Sequence, residues 1–329
     1  IAFSKLIRAL RTGLDFSDTV DGIVFRDDIK QRLDLETIPI RKILNPHAIV
    51  SNDAKLIDNL EEFPRPDRRH YDMEFYATNV RHFVDRLENA KTMRIATMTA
   101  SRGCPFSCTF CASKDFWGNK IRYRDPVEVV SEMRKMIDLH DINTFVFNDD
   151  NLLFDSREVI RLCNQMKKEN LNIRWFAGGG LQVSALRKEE IVSAVIETGL
   201  RQFNLAIESG DRQTLKKIKK PLKDIETAEK VIASIRRFDD VWIQGFFIAG
   251  FWFQSLDQID QSYGYSGALD LDWRGYYNFA PLPGTEDYRQ CVERGYIDDI
   301  STIEGEYKED FILLSTENFT ARQISERNY

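Results

Sequence analysis

From Met93 onward the chain repeats one pattern six times: a short run rich in β-branched or aromatic residues, then a segment whose apolar positions keep helical spacing. The runs are Arg94–Thr99, Thr144–Asn148, Ile173–Phe176, Gln202–Ile207, Trp242–Ala249 and Trp273–Phe279. Strands separated by helices pair in parallel through crossovers, because no tight hairpin joins them. Several of the runs are apolar throughout, which predicts strands covered on both faces. Six units fall short of the eight of a closed barrel. The expected fold class is therefore α/β, a partial open (βα)6 TIM-like barrel over residues 93–285.

The intervening helices mark their own starts. Asp125-Pro126-Val127-Glu128 combines an N-cap, a proline at the first helical position and a capping glutamate, ahead of the stripe Val127, Val130, Met133, Ile137. Ser255-Leu256-Asp257-Gln258 repeats the capping-box pattern after the fifth run. Ile191, Ala194, Val195 and then Ile225, Ala228, Ile232, Ile235 keep the same period.

With 329 residues and 43% hydrophobic content the chain can bury a core of one large or two medium domains. The net charge of -6 is spread among interspersed acids and bases, so nothing points to nucleic acid. The run Lys216 to Lys220 reads as a solvated helix face. The longest apolar run, Phe246 to Phe253, is too short to span a bilayer and reads as a buried strand. No signal-peptide pattern is visible, and Ile1 is not an initiator methionine, so the natural N-terminus is expected elsewhere. Residues 1–40, with a helical stretch around Leu6 and Leu10 and a short strand Gly22–Arg26, read as the closing end of a domain that starts upstream. Residues 41–92 read as a linker or extension carrying the stiff stretch Phe63-Pro64-Arg65-Pro66, and residues 286–329 as the start of a C-terminal extension.

The chemistry is concentrated in Gly103-Cys104-Pro105-Phe106-Ser107-Cys108-Thr109-Phe110-Cys111. A Cys-x3-Cys-x2-Cys loop supplies three thiolates and no fourth, and a cubane [4Fe-4S] cluster held at three corners keeps one iron open. The loop follows the first strand, at the carboxyl edge where α/β barrels carry their chemistry. A structural zinc loop is the alternative, but closed zinc sites take four ligands, usually as two separated pairs. The remaining cysteines, Cys163 and Cys291, lie on apolar helix faces and read as small buried hydrophobes. Five cysteines in a chain of this size do not make a disulfide framework.

Further motifs stand in order around that loop: the lead-in Thr99 to Cys104, Phe110 before the last cysteine, Asp149-Asp150-Asn151, Ile207-Glu208-Ser209-Gly210, and Pro281-Leu282-Pro283-Gly284-Thr285-Glu286. Together they resemble the radical S-adenosylmethionine (radical SAM) enzymes. The resemblance implies a [4Fe-4S] cluster on Cys104, Cys108 and Cys111, and S-adenosylmethionine chelated by the open iron and cleaved to a 5'-deoxyadenosyl radical. It implies cofactor contacts by Phe110, near the adenine, and by Asp150, Glu208 and Ser209. Each has a plainer reading: packing for Phe110, a turn or cap for Asp150, and a helix N-cap for Glu208, a role that Ser209 or Asp211 can also fill.

Two departures stand against the pattern. Gly250-Phe251-Trp252-Phe253-Gln254-Ser255 replaces the usual Gly-Phe-Pro-Gly-Glu-Thr, which puts the adenine-side loop in doubt, and Gln182 stands where the subgroup commonly has arginine. Trp252, Phe253, Tyr276 and Tyr277 are candidates to line a shielded cavity, with core packing the preferred reading. Residues 1–30 resemble the tail of a cobalamin-binding domain, which implies cobalamin for the parent protein and a class B methyltransferase-like branch. That branch implies methyl transfer to an unreactive carbon of a small-molecule substrate, an electron donor such as flavodoxin or ferredoxin, and a reducing cytoplasm. The rivals are a cyclase or ring-rearranging enzyme of the same branch and a zinc-stabilised binding module.

Overall fold

The computed structural model describes residues 24–25, 50–51, 56–62, 65–79, 92–222, 224–298 and 314–328. The chain divides into two compact units, Ile1–Pro64 with Asp298–Tyr307, and Arg65–Ile297 with Lys308–Tyr329. In the first unit the described residues form a short antiparallel pair, Val24–Phe25 with Val50–Ser51, and a 3-10 turn at Leu60–Glu62. The helical stretch expected at Leu6 and Leu10 and most of the two N-terminal segments lie outside the described residues.

The second unit carries a six-stranded sheet: β1 (Ile95–Met98), β2 (Thr144–Phe147), β3 (Arg174–Ala177), β4 (Leu200–Glu208), β5 (Trp242–Ala249) and β6 (Trp273–Asn278). The spatial order is the chain order, every neighbouring pair is parallel, and β1 and β6 stand at opposite ends of the sheet. This is the partial open barrel that the repeating pattern predicts. Its helices are α1 (Met73–Asn79), α2 (Ser113–Trp117), α3 (Pro126–His140), α4 (Ser156–Lys168), α5 (Glu189–Glu197), α6 (Arg212–Lys217), α7 (Glu226–Ile235), α8 (Leu256–Ala268), α9 (Glu286–Glu293) and α10 (Ala321–Asn328).

Caps fall where the sequence places them. Asp125 accepts the Val127 N–H at 2.8 Å to start α3, and Ser255 and Gln258 cap one another's backbone to start α8. Glu128 instead pairs with Arg65. The α3 stripe is rotated from the expected one: Val129, Val130, Met133 and Met136 are buried, while Val127 is 52% exposed. A first-turn residue lies beyond the edge of the helix's apolar face, so period alone overextends the stripe.

Alternation along each strand sorts two environments. Phe145, Phe147, Trp175, Phe203, Leu205, Ile207, Ile243 and Phe247 join the helices in one large core. The other faces of the first three strands, with Met93, Ile95, Val146 and Phe176, form a separate small cluster. In β5 the second face, Gln244, Phe246 and Ile248, is only half buried. The expectation of strands covered equally on both faces therefore fails for β5, because an open sheet of six strands does not fill its interior as a closed one does. Among the described residues no helix is long and apolar enough to cross a membrane.

Gly199, between α5 and β4, has φ +107°, and a Cβ there would stand 2.1 Å from the Ile173 carbonyl oxygen. Neither the dihedral nor a backbone atom yields cheaply, so Gly199→Ala should lower stability by about 2–3 kcal/mol in urea unfolding. An unchanged midpoint would show that the β3–β4 connection relaxes.

Candidate cofactor site at the carboxyl edge of the sheet

After β1 the chain makes a two-residue strand, Ser101–Arg102, paired antiparallel with Arg122–Tyr123. This hairpin, which no periodicity announces, brackets the cysteine loop and α2. Gly103 enters the loop at φ +93°, where a Cβ would lie 2.5 Å from the Lys120 carbonyl oxygen. Cys111 N–H donates to the Cys108 carbonyl at 3.2 Å and closes a turn between the second and third cysteines. The three thiols are free, with Cys104 and Cys108 half buried and Cys111 exposed.

The loop is held from the end of β2. Asp149 is buried and accepts the Ala100 N–H at 3.1 Å, the Ser101 N–H, and the Ser101 hydroxyl at 2.6 Å. Asp150 accepts the Gly103 N–H at 3.2 Å and the Ser113 hydroxyl at 2.6 Å, so one carboxylate ties both ends of the cysteine loop. Asn151 Nδ2 points at the Cys104 sulfur at 3.6 Å. The three residues thus act on the loop's backbone, its ends and one thiol in turn. An amide donor on a ligating sulfur is one of the factors that set a cluster's potential.

Glu208 ends β4 across a register shift against β5 and has φ +71°, uncommon for a residue with a side chain. The irregularity re-aims it toward Lys220, whose Nζ donates to Glu208 Oε1 at 2.8 Å, with both side chains more than nine-tenths buried. Lys220 is therefore not part of a solvated face. Lys219, at φ 55°, turns the chain back after α6 and carries its neighbour inward. Burial pushes the Cys108 thiol up to about 11, and Lys220 pulls it back while Cys111, Glu208 and Cys104 oppose. Burial also pushes Cys111 up, against a backbone hydrogen bond from Ser113. Thiols in this setting become thiolates when a cation or metal stabilises them.

These residues fit a cubane cluster. Three thiols within electrostatic reach of one another sit on one loop, with a donor on one sulfur and a buried cation beside the others. Among the described residues no group of three or more His, Cys, Asp or Glu side chains is drawn tightly enough to hold a single ion, whereas cubane ligands bind separate irons and stand apart.

Glu208 does not cap α6; Asp211 does, accepting the Thr214 N–H at 2.7 Å. Ser209 is fully buried, and its hydroxyl accepts the Asp211 N–H at 3.0 Å. Phe110 is half buried against the fully buried Phe251, ring centroids 5.6 Å apart. The divergent loop after β5 is built around Gln254: its Oε1 accepts the Gly250 and Phe251 N–H groups at 2.9 and 3.0 Å, and its Nε2 donates to Thr214 Oγ1 at 3.3 Å. Phe251 stacks on Phe253 and packs on Phe279. Trp252 and Phe253 pack on the core, Tyr276 bonds Ser266 Oγ at 2.5 Å, and Tyr277 is 51% exposed beside Phe246. Cys163 and Cys291 are buried in the core. The roles of Lys220 and Asp287 escape the sequence reading, because each acts through a partner on another element, and that of Gln254 escapes it because the loop departs from the familiar motif.

A three-thiolate loop at the carboxyl edge of an open parallel sheet defines a cluster-bearing α/β enzyme. Residues 98–263 match the radical SAM superfamily, and the chain belongs to it. It is 29% identical over 295 residues to cytidylyl-2-hydroxyethylphosphonate methyltransferase of Streptomyces wedmorensis, covering 85% of this chain and 53% of that protein. It is 24% identical over 202 residues to the anaerobic magnesium-protoporphyrin IX monomethyl ester cyclase of Rubrivivax gelatinosus, covering 61% of this chain and 36% of the cyclase. The structure resembles that of the cobalamin-dependent S-adenosylmethionine radical enzyme OxsB, with a TM-score of 0.68 at 16% identity over 89% of this chain and 44% of the other. The chain spans about half the length of the curated relatives it matches.

Burial pushes the Asp149 carboxyl up from 3.8 to about 6, against the hydrogen bonds from Ser101 and Ala100 that favour its charge. Because the folded value lies above the unfolded one, this group's contribution to stability is lost as pH rises from 3.8 to about 6 and is level beyond. A shift of about two units corresponds to about 3 kcal/mol. Between about pH 4 and pH 6.5 the cluster-free protein should lose about that much more stability than Asp149→Asn, read from denaturant melts at each pH. Parallel stability profiles would contradict the assignment.

Proposed function

We propose that the protein is a cobalamin-dependent radical SAM methyltransferase that places a methyl group on an unactivated carbon of a small molecule. The observation that carries this reading is the 29% identity to a phosphonate methyltransferase over 85% of the chain. The fold likeness to a cobalamin-dependent enzyme and the N-terminal residues that resemble the tail of a cobalamin domain support it. Cys104, Cys108 and Cys111 hold the cluster; when bound, it supplies the electron that cleaves S-adenosylmethionine. Phe110 and Phe251 wall the adenine side. Glu208 offers a carboxylate to the cofactor's donor groups, with Lys220 balancing its charge. Asp150 orders the loop that carries the ligands, and Ser209 shapes the turn behind Glu208. A flavodoxin- or ferredoxin-type reductant in a reducing cytoplasm suits such a cluster. The cyclase relative keeps a second reading open, in which the same radical start leads to ring formation.

Replacing Cys104, Cys108 or Cys111 by Ala should abolish bound iron and labile sulfide after anaerobic reconstitution, while Cys163→Ala and Cys291→Ala keep both. The reduced wild type should release 5'-deoxyadenosine and methionine, and with cobalamin supplied should give a methylated product by mass. A cyclised product without methyl gain would transfer the protein to the second reading.

Glu208→Ala should weaken S-adenosylmethionine binding by about tenfold to a hundredfold, from loss of a charge-assisted hydrogen bond. It should also lower stability by about 3–5 kcal/mol, since Lys220 is left buried and unpaired. The double variant Glu208→Gln/Lys220→Met should recover much of the stability but not the affinity. Wild-type affinity in that double variant would remove Glu208 from the cofactor.

A further inference from the structure

The sheet leaves a gap between its end strands, yet the loop after β1 must stay registered with the loops after β5 and β6. One buried carboxylate spans that gap. Asp287, in the first turn of α9, is 3% exposed. Its Oδ2 accepts the hydroxyl of Thr109 at 2.6 Å, and its backbone N–H donates to the Thr109 carbonyl at 3.1 Å. Its Oδ1 accepts the indole N–H of Trp252 at 2.9 Å. Thr109, 4% exposed, follows Cys108 directly, and its own N–H donates to the Ile218 carbonyl at 3.1 Å. All three polar groups of Thr109 are therefore bonded, its hydroxyl and carbonyl to Asp287 and its N–H to the segment after α6.

We propose that Asp287 is a positioning residue that latches the open barrel at its cluster end, fixing Thr109 and Phe110 against the Phe251–Trp252 loop. Asp287 acts through Thr109 on the turn that spaces Cys108 from Cys111, and through Trp252 on the loop that packs against Phe110. Two donors, the Thr109 hydroxyl and the Trp252 indole N–H, converge on the two side-chain oxygens of Asp287; a carboxylate accepts both and carries charge, whereas an amide accepts only one and forces the Thr109 bond to reverse. The Lys219–Glu286 ion pair at 2.5 Å runs beside the latch on its solvent side. The proposal rests on the assignment of the cluster to Cys104, Cys108 and Cys111.

The test uses the full-length protein, reconstituted anaerobically, with Asp287→Asn, Thr109→Val, their double variant, and Thr109→Ser as the conservative rescue. Asp287→Asn and Thr109→Val should keep wild-type iron and sulfide but change the electron paramagnetic resonance spectrum of the reduced cluster when S-adenosylmethionine is added. They should also slow its cleavage at saturating cofactor by about tenfold or more, the size expected for losing a hydrogen bond to a charged acceptor. The double variant should be no slower than the slower single variant, and Thr109→Ser should restore both spectrum and rate. A wild-type spectrum and rate in Asp287→Asn, or additive losses in the double variant, would overturn the latch. If Cys104→Ala retained its iron, the cluster assignment would fail instead, independently of the latch.

Discussion

Three thiols are asked to become thiolates in a partly buried place, on a loop with little regular structure of its own. Burial raises the thiols of Cys108 and Cys111. A loop in that state would collapse, pair up or hydrate unless the surrounding protein held it. The fold's answer is to set carboxylates, two of them buried and Asp150 half buried, against backbone and hydroxyl donors. Asp149 and Asp150 seize the loop from the end of β2, and Asp287 seizes it from α9. Their own desolvation is offset because each carboxylate oxygen finds a donor.

The carboxyl edge of a parallel sheet makes this possible. All six strands run the same way, so six loops emerge side by side, and residues far apart in sequence meet at one rim. Asp149 lies 48 residues from Ser101 and Asp287 lies 178 from Thr109, yet both are one hydrogen bond away. Because the sheet is open, strand pairing does not join its first strand to its last. Side-chain bonds between loops take over that duty at the cluster end.

The divergent loop after β5 is held closed by a residue that the usual motif spelling does not contain. A proline, a glycine and an acid of the usual motif are missing, yet the amide of Gln254 gathers two backbone N–H groups and keeps the turn closed. Phe251 then fills the space against Phe110. An alteration that looks like loss in a one-dimensional comparison here leaves a turn closed by its own hydrogen bonds.

The sequence by itself determined the six parallel units, the cap positions of α3 and α8, the cysteine loop at the head of the sheet, and the order of motifs along its rim. These are local properties: period, capping chemistry and ligand spacing are written within a few residues. Tertiary structure decided what spacing cannot encode. It rotated the α3 stripe away from Val127, left one face of β5 half open, buried Lys220 against Glu208, and gave Asp150 the two ends of one loop. It also paired Thr109 with Asp287. Such choices depend on where a crossover lands and on which donors lack water, and those are settled only when distant strands are brought side by side.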